Sequence, residues 1–473
     1  MATPKTSLRL AGLILAVLLA GCAEGARTRV ALPPLAESPV PQTIFGEATL
    51  GGGRPGEAEK APLAPRRPLT LDECLALAKK VSPSLDSADQ NYVGAMWDRW
   101  SSITAFLPTA SMGYGLTRYN DLAQAAGAGR SRYVWQTQVT QTVFAGGRDV
   151  SNYLLAQLGV NAAEIQRIQA EEDLLLSVKQ SYYGILAVQK ALAVAKQTVI
   201  NLQSHLKVAQ NFYDVGMVPK NQVLAAEVEL AKAVQNETDL TRDLAINKSR
   251  LNILLRQPIE NPVEVVDTLK YAPFPLSIAQ CMEISLADSP EMKLGRNQAA
   301  AGAKSVDVAR SAYYPELSAE YVNASTGDSP RAHGGWSTND AGWNVALMAS
   351  FNIWEWGRTK ANVEKSKVGL NRAVNNLTLL EDNARLEVTS NYQNLVSAGK
   401  NIDVSAKAVI AADEDLRMMR ERYLEQVATN TEVLDAQTRY SQAQYDHYQS
   451  LYNYNLAWAT LERSLGRQVA HGL

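Results

Sequence analysis

A run of alternating residues that closes in "FAGGR" (Phe144 to Arg148) opens onto a very long stretch without proline, and the same transition recurs at "WEWGR" (Trp354 to Arg358). The two sites belong to an internal duplication. Cys74 and Cys281, Pro83 and Pro290, and Pro108 and Pro315 are each 207 residues apart. Beyond the alternating segments Arg148 and Arg358, Tyr182 and Tyr392, Tyr213 and Tyr423, and Leu224 and Leu434 are each 210 apart. One small insertion inside the second alternating region accounts for the change, as a surface loop tolerates. Solenoid units repeat every 20 to 50 residues or so, so this period means two copies of one structural half, residues 68–266 and 267–473.

In the first half Thr70, with Glu73 three residues on, forms a capping-box pattern. A helix is expected from there to about Phe106, disturbed at Pro83 and stopped before Pro108. The strand region is about 109–144. Met112, Tyr114 and Leu116 share one face of its first strand; Tyr133, Trp135, Val139 and Val143 alternate with Gln136, Gln138, Thr140 and Thr142 in the second. The second half repeats this over about 316–354, where Trp343, Val345, Leu347, Ala349, Phe351 and Ile353 alternate with smaller or polar residues. Segments of about ten residues with aromatics near their ends have the length and pattern of tilted membrane strands; the edge of a soluble sandwich has the same local pattern.

Long helices are expected over about 148–214 and 358–424, each near 100 Å at about 1.5 Å per residue. After the polar turns "DVGMVPKN" and "EQVATN" a helix returns in each half, to about Arg256 and Leu465. The two shorter helices of a half, laid end to end, match one long helix. Gly146, Gly147 and Gly357 mark the change of period from two to about 3.6, where the chain must swing from strand to helix. Arg148 and Arg358 beside them read as interfacial or structural charges rather than substrate contacts.

A formal charge of −2 with no basic block excludes nucleic acid as a partner. Three cysteines without paired spacing and four histidines at 205, 333, 447 and 471 form no disulfide framework, metal site or triad. With no P-loop, nucleophile elbow or catalytic carboxylate pair, the chain reads as no enzyme and carries no cofactor. Cys74 and Cys281 read as small buried core residues. "GGGRPG" at Gly51 to Gly56 reads as linker.

The N-terminus has Lys5 and Arg9 before the apolar run "LAGLILAVLLAG" and then Cys22. This is an export signal, residues 1–21, too short to be kept as a membrane span. "LAGC" resembles a bacterial lipoprotein signal, in which Cys22 becomes the lipidated first residue; an ordinary signal with an incidental cysteine is the alternative. Ala23 after it implies transfer to the outer membrane. Residues 22–67, rich in Pro, Gly and Ala, form a tether.

Four membrane strands cannot close a barrel, since the smallest bacterial barrels have about eight, and open edges are not tolerated in hydrocarbon. Several chains must share one. Three supply twelve strands and twelve helical struts, which calls for a hollow cylinder. The expected fold is mainly α with a membrane β-barrel portion: a trimeric 12-stranded barrel continued by an α-helical barrel.

The duplicated order of helix, hairpin, long helix and returning helix, the "FAGGR" and "WEWGR" junctions, "LAGC" and the tail "EVLDAQTRYSQAQYDHYQSLYNYNLAWATLERSLG" resemble the TolC-like outer-membrane factor family, from Thr70 to Gly466. The resemblance implies a homotrimeric channel tunnel in the bacterial outer membrane, lipid-anchored and extending into the periplasm. It implies cargo received from an inner-membrane pump through a periplasmic adaptor protein, with the pump supplying the energy. The adaptor-facing tips would be at Gly216 and Gln426. In that family acidic residues follow the second tip turn, here Glu432 and Asp435. They lie three residues apart on one helical face, and threefold repetition makes a ring of carboxylates that favours cations. Glu432 also fits a capping box with Thr429, and Asp435 near a helix start suits the macrodipole. The first tip has Gln222 and Ala225 at those positions, and the family's "VG" turn is present only there. The competing reading is a lipid-anchored periplasmic helical scaffold without a channel, which leaves the hairpins of membrane length unexplained.

Overall fold

The computed structural model describes residues 67–120, 131–332 and 341–469; the export signal, Cys22 and the tether before Arg67 lie outside the described residues. The first repeat runs α1 (Leu71–Val81), α2 (Pro83–Thr104), β1 (Thr109–Arg118), β2 (Ser131–Ala145), α3 (Arg148–Asp214) and α4 (Lys220–Leu254). The second has the same order: α5 (Ile278–Asp288), α6 (Pro290–Ser311), β3 (Glu316–Gly327), β4 (Ala341–Ser350), α7 (Arg358–Leu424) and α8 (Asn430–Leu465).

Thr70 caps α1: its hydroxyl accepts from the Glu73 amide, and the Glu73 carboxylate accepts from the Thr70 amide. The disturbance expected at Pro83 is a full break, which divides the segment into two helices. Ser82 between them has ψ 120, because a proline ring disfavours helical backbone at the residue before it. Pro83 then suits the first position of α2. Ser289 and Pro290 make the same break in the second repeat.

Each repeat carries its own core where the short helices meet the long one. Cys74, Val178, Tyr182, Ile185, Leu251 and Leu255 build the first. Cys281, Val388, Leu395, Leu461 and Leu465 stand at the corresponding positions of the second. Both cysteines are buried and unpaired, and burial pushes the Cys74 thiol up to about 12, which suits a small apolar filler.

The helices form a single-layered wall. α3 packs on α1, α2 and α4 of its own repeat and on α6 and α8 of the other, whereas α7 meets α5, α6 and α8, all of its own repeat. Both long helices have 67 residues, yet α3 buries sixteen of them and α7 eight. Val368, Leu379, Leu386, Val404 and Ile410 of α7 are all more than 60% exposed, so one flank of α7 lacks a neighbour within the chain.

The sheet is antiparallel in the order β1-β2-β3-β4, joined across the repeats by β2 and β3 and leaving β1 and β4 with free edges among the described residues. β4 stops at Ser350, short of the expected 354. Ser350 lies opposite Glu316, where β3 begins, so Phe351 and the residues after it have no strand of this chain to pair with.

Candidate functional site

The ladder register sorts the sheet into two chemically distinct faces. Directly opposed residues point the same way, so the pairs Tyr114–Trp135, Leu116–Tyr133, Val139–Tyr321, Tyr321–Val345 and Leu347–Ala319 all lie on one face. Met112, Leu116, Trp343 and Leu347 on this face are between 57% and 75% exposed. The opposite face carries Gln136, Gln138, Thr140, Glu320 and Asn344, and Gln138 Nε2 donates to Glu320 Oε1 at 2.5 Å. Ten residues at about 3.4 Å each, tilted by about 40°, span roughly 25 Å, the height of an outer-membrane apolar band. The helix-side margin is aromatic, with Phe106, Tyr314, Phe351, Trp354 and Trp356 exposed, as at a membrane–water interface.

Below this margin the strands turn into helices. Gly147 and Gly357, both left-handed with φ 83 and 82, precede the two long helices. Arg148 donates to both carboxylate oxygens of Glu316 at 3.3 and 3.0 Å, tying the first repeat to the start of β3. Arg358 pairs instead with Glu355 of its own turn at 2.5 Å. Glu316 went unnoticed in the sequence because its partner lies 168 residues away.

At the far end the two tip turns share one backbone geometry. Met217 N–H donates to Phe212 O and Gly216 N–H to Tyr213 O; in the second tip Val427 N–H donates to Arg422 O and Gln426 N–H to Tyr423 O. Both are Schellman caps. The difference anticipated from the missing "VG" is therefore one of residue, not of turn: Gln426 takes the left-handed conformation (φ 60) that Gly216 takes in the first. The tips touch, Gln426 Nε2 lying 3.1 Å from Met217 Sδ. A left-handed non-glycine residue costs about 1–2 kcal/mol, partly offset by the entropy glycine loses on folding. Gln426→Gly is expected to stabilise the tip by about 0.5–1 kcal/mol, read as slower hydrogen exchange at residues 424–430 by roughly two- to fivefold.

Glu432 and Asp435 are both exposed near the start of α8. Glu432 closes a capping box, its carboxylate accepting from Thr429 N at 2.6 Å. That backbone hydrogen bond holds it below the usual carboxylate range, so it keeps its charge.

The family model of outer membrane efflux proteins matches residues 76–255 and 282–467, one segment in each repeat. The chain belongs to the outer membrane efflux protein family. This is a family of transport proteins, not of enzymes. The chain is 23% identical over 369 residues to the probable efflux pump outer membrane protein SepC of Pseudomonas putida, covering 77% of this chain and 76% of that one. It is 22% identical over 345 residues to the outer membrane efflux protein BepC of Brucella suis, covering 71% and 72%. Its fold matches the outer membrane protein VceC of Vibrio cholerae with a TM-score of 0.73 at 15% identity, over 84% of this chain and 96% of that one.

Two polar joints of this efflux protein join residues far apart in the sequence. Near the tips Asn430, 2% exposed, accepts from His205 Nε2 at 2.6 Å and donates to the Gln222 carbonyl at 3.1 Å, so it links α3, α4 and α8. Burial holds the His205 imidazole below its ordinary range. In mid-wall Lys179 donates to Glu462 Oε2 at 2.5 Å, while Glu462 Oε1 accepts from Trp458 Nε1 at 3.1 Å and from Val469 N at 3.0 Å. Lys179 does sit on the buried stripe of α3 with Leu175, Val178, Tyr182 and Leu186. A charge on a core stripe announces a partner, without saying where it is.

Proposed function

We propose that this outer-membrane efflux protein is the channel-tunnel component of a tripartite efflux or secretion system, passing cargo from the periplasm to the exterior as a homotrimer. The observation that carries the reading is the sheet: apolar on one face, polar on the other, with β1 and β4 unpaired at its margins. Unpaired edges in hydrocarbon cost several kcal/mol per polar group, and only closure removes them. Three copies make a barrel of twelve strands whose polar face lines a bore, with the helical wall as its periplasmic continuation. Cys22 supplies a lipid anchor in the outer membrane. The tips around Gly216 and Gln426 meet the periplasmic adaptor, and the inner-membrane pump provides the energy. The duct itself does no chemistry.

A lipid-anchored scaffold without a channel accounts for the helices but leaves the band of Met112, Leu116, Trp343 and Leu347 in water. Burying such side chains is worth about 1.5–3 kcal/mol each, which decides for the membrane. Glu432 and Asp435, threefold repeated in a narrow mouth, favour cations. In planar bilayers the purified protein is expected to give discrete single-channel conductance with cation preference. Glu432→Ala/Asp435→Ala should keep the conductance and lose much of that preference. Unchanged ion selectivity removes the acidic gate; no conductance from a properly folded sample removes the channel.

A further inference from the structure

We infer that the free edge of β4 pairs with the free edge of β1 in a second copy of this chain in one register, Ser350 opposite Gly113, dictated by the chain's internal duplication. The inference rests on the homotrimeric reading and adds residue-level geometry to it.

The hairpin of the first repeat pairs Thr109 with Thr140, and that of the second pairs Glu316 with Ser350. Thr109 and Glu316 are separated by the first sequence offset, Thr140 and Ser350 by the second. β3 is thus β1 again, and β4 is β2 again, residue for residue. The joint between repeats pairs Thr140 with Glu320 and Gln136 with Ala324. Carried through the same offsets, it places Ser350 opposite Gly113 and Ala346 opposite Thr117 of the next copy. The faces agree without adjustment: Leu347 meets Leu116, Ala349 meets Tyr114 and Phe351 meets Met112, all on the apolar side.

A second observation supports the register. β2 extends beyond the start of β1, and its overhang pairs with Glu316 to Ala319 of β3. The equivalent overhang of β4, from Phe351 onward, lacks any partner, and Phe351, Ile353 and Trp354 are 56%, 88% and 73% exposed. In a ring that stretch faces the first residues of the neighbouring β1.

The equivalence ends at the helix junction. A Cβ on Gly146 would come within 2.4 Å of Ser311 O and 2.9 Å of Tyr314 Cβ. The counterpart of Gly146 is Trp356, and those of Ser311 and Tyr314 are Thr104 and Leu107 of the next copy. An indole has no place in that gap, so α7 stands further from the neighbouring α2 than α3 does from α6. Trp356, 88% exposed, lies along this wider seam at the membrane margin.

The test is disulfide trapping in the full-length protein in outer membranes. Opposed strand residues have Cα atoms about 4.5–5.5 Å apart, inside the disulfide window, while a two-residue slip puts them about 7–8 Å apart, outside it. Gly113 and Gly115 have nothing within 4 Å of an added Cβ, so both sites accept cysteine. Ser350→Cys/Gly113→Cys is expected to give mostly covalent trimer on non-reducing gels, and Ser350→Cys/Gly115→Cys only traces. Ala346→Cys/Thr117→Cys reads the same register should the first pair assemble poorly. Linkage at 350–115 instead, or no linkage in a protein that runs as a trimer on native gels, overturns the register and leaves the trimer standing. A chain that never forms trimers before oxidation overturns the homotrimeric reading itself.

Discussion

Lys179→Met is expected to destabilise the wall by about 3–5 kcal/mol, the usual cost of leaving one member of a buried ion pair alone. The side chains of Lys179 and Glu462 are 11% and 5% exposed, so neither regains water when its partner is lost. The carboxylate is fully accounted for: one oxygen takes the ammonium, the other takes Trp458 and the Val469 amide. The pair ties α3 of the first repeat to α8 of the second and is not repeated by the duplication. At the positions equivalent by the duplication stand Thr389 and Asn252, and Asn252 spends its amide on the Ile259 and Asn261 carbonyls. Urea unfolding in detergent should show a lower midpoint for Lys179→Met. Lys179→Met/Glu462→Gln should recover most of the loss, because the amide oxygen keeps Trp458 and Val469 while the bare charge is gone. A double variant as unstable as the single one would assign the effect to lost packing rather than to the charge.

Features written within a few residues of one another were legible in the sequence. The long helix from Arg148 to Asp214 follows from an uninterrupted stretch rich in Ala, Gln, Leu and Val, and the two capping boxes at Thr70 and Thr429 follow from residue types three apart. The faces of the strands follow from their alternation. Ser350 marks a limit of that reasoning: "FNIW" continues the pattern of β4, but a strand needs a partner, and β3 begins only at Glu316, opposite Ser350. The second tip marks another. Gln426 does not announce a left-handed cap, because the Schellman hydrogen bonds impose it rather than the residue. What stayed hidden at the candidate site are pairs distant along the chain: Arg148 with Glu316, His205 with Asn430 and Lys179 with Glu462.

Gly146→Ala is expected to cost about 2–5 kcal/mol and Gly147→Ala about 1–2, although both residues are left-handed with φ 61 and 83. The conformational part is shared: a Cβ in this region costs about 1–2 kcal/mol. That part is survivable, since Trp356 holds φ 54 at the position equivalent to Gly146. The remainder is space. Around Gly147 an added Cβ meets nothing within 4 Å, while at Gly146 it lands on the Ser311 carbonyl, a backbone atom at the end of α6 that has no rotamer to change. Overpacking of this kind costs about 1–3 kcal/mol further. α6 must then move away from the strand-to-helix turn, which strains the Arg148–Glu316 bridge and the β2–β3 joint holding the two repeats in one sheet. Gly146→Ala should therefore lower both the urea midpoint and the yield of heat-modifiable trimer in outer membranes, with Gly147→Ala losing markedly less of each. Equal losses would mean that the turn is governed by φ alone, and that the contact between the first repeat and α6 has slack to take up a methyl group.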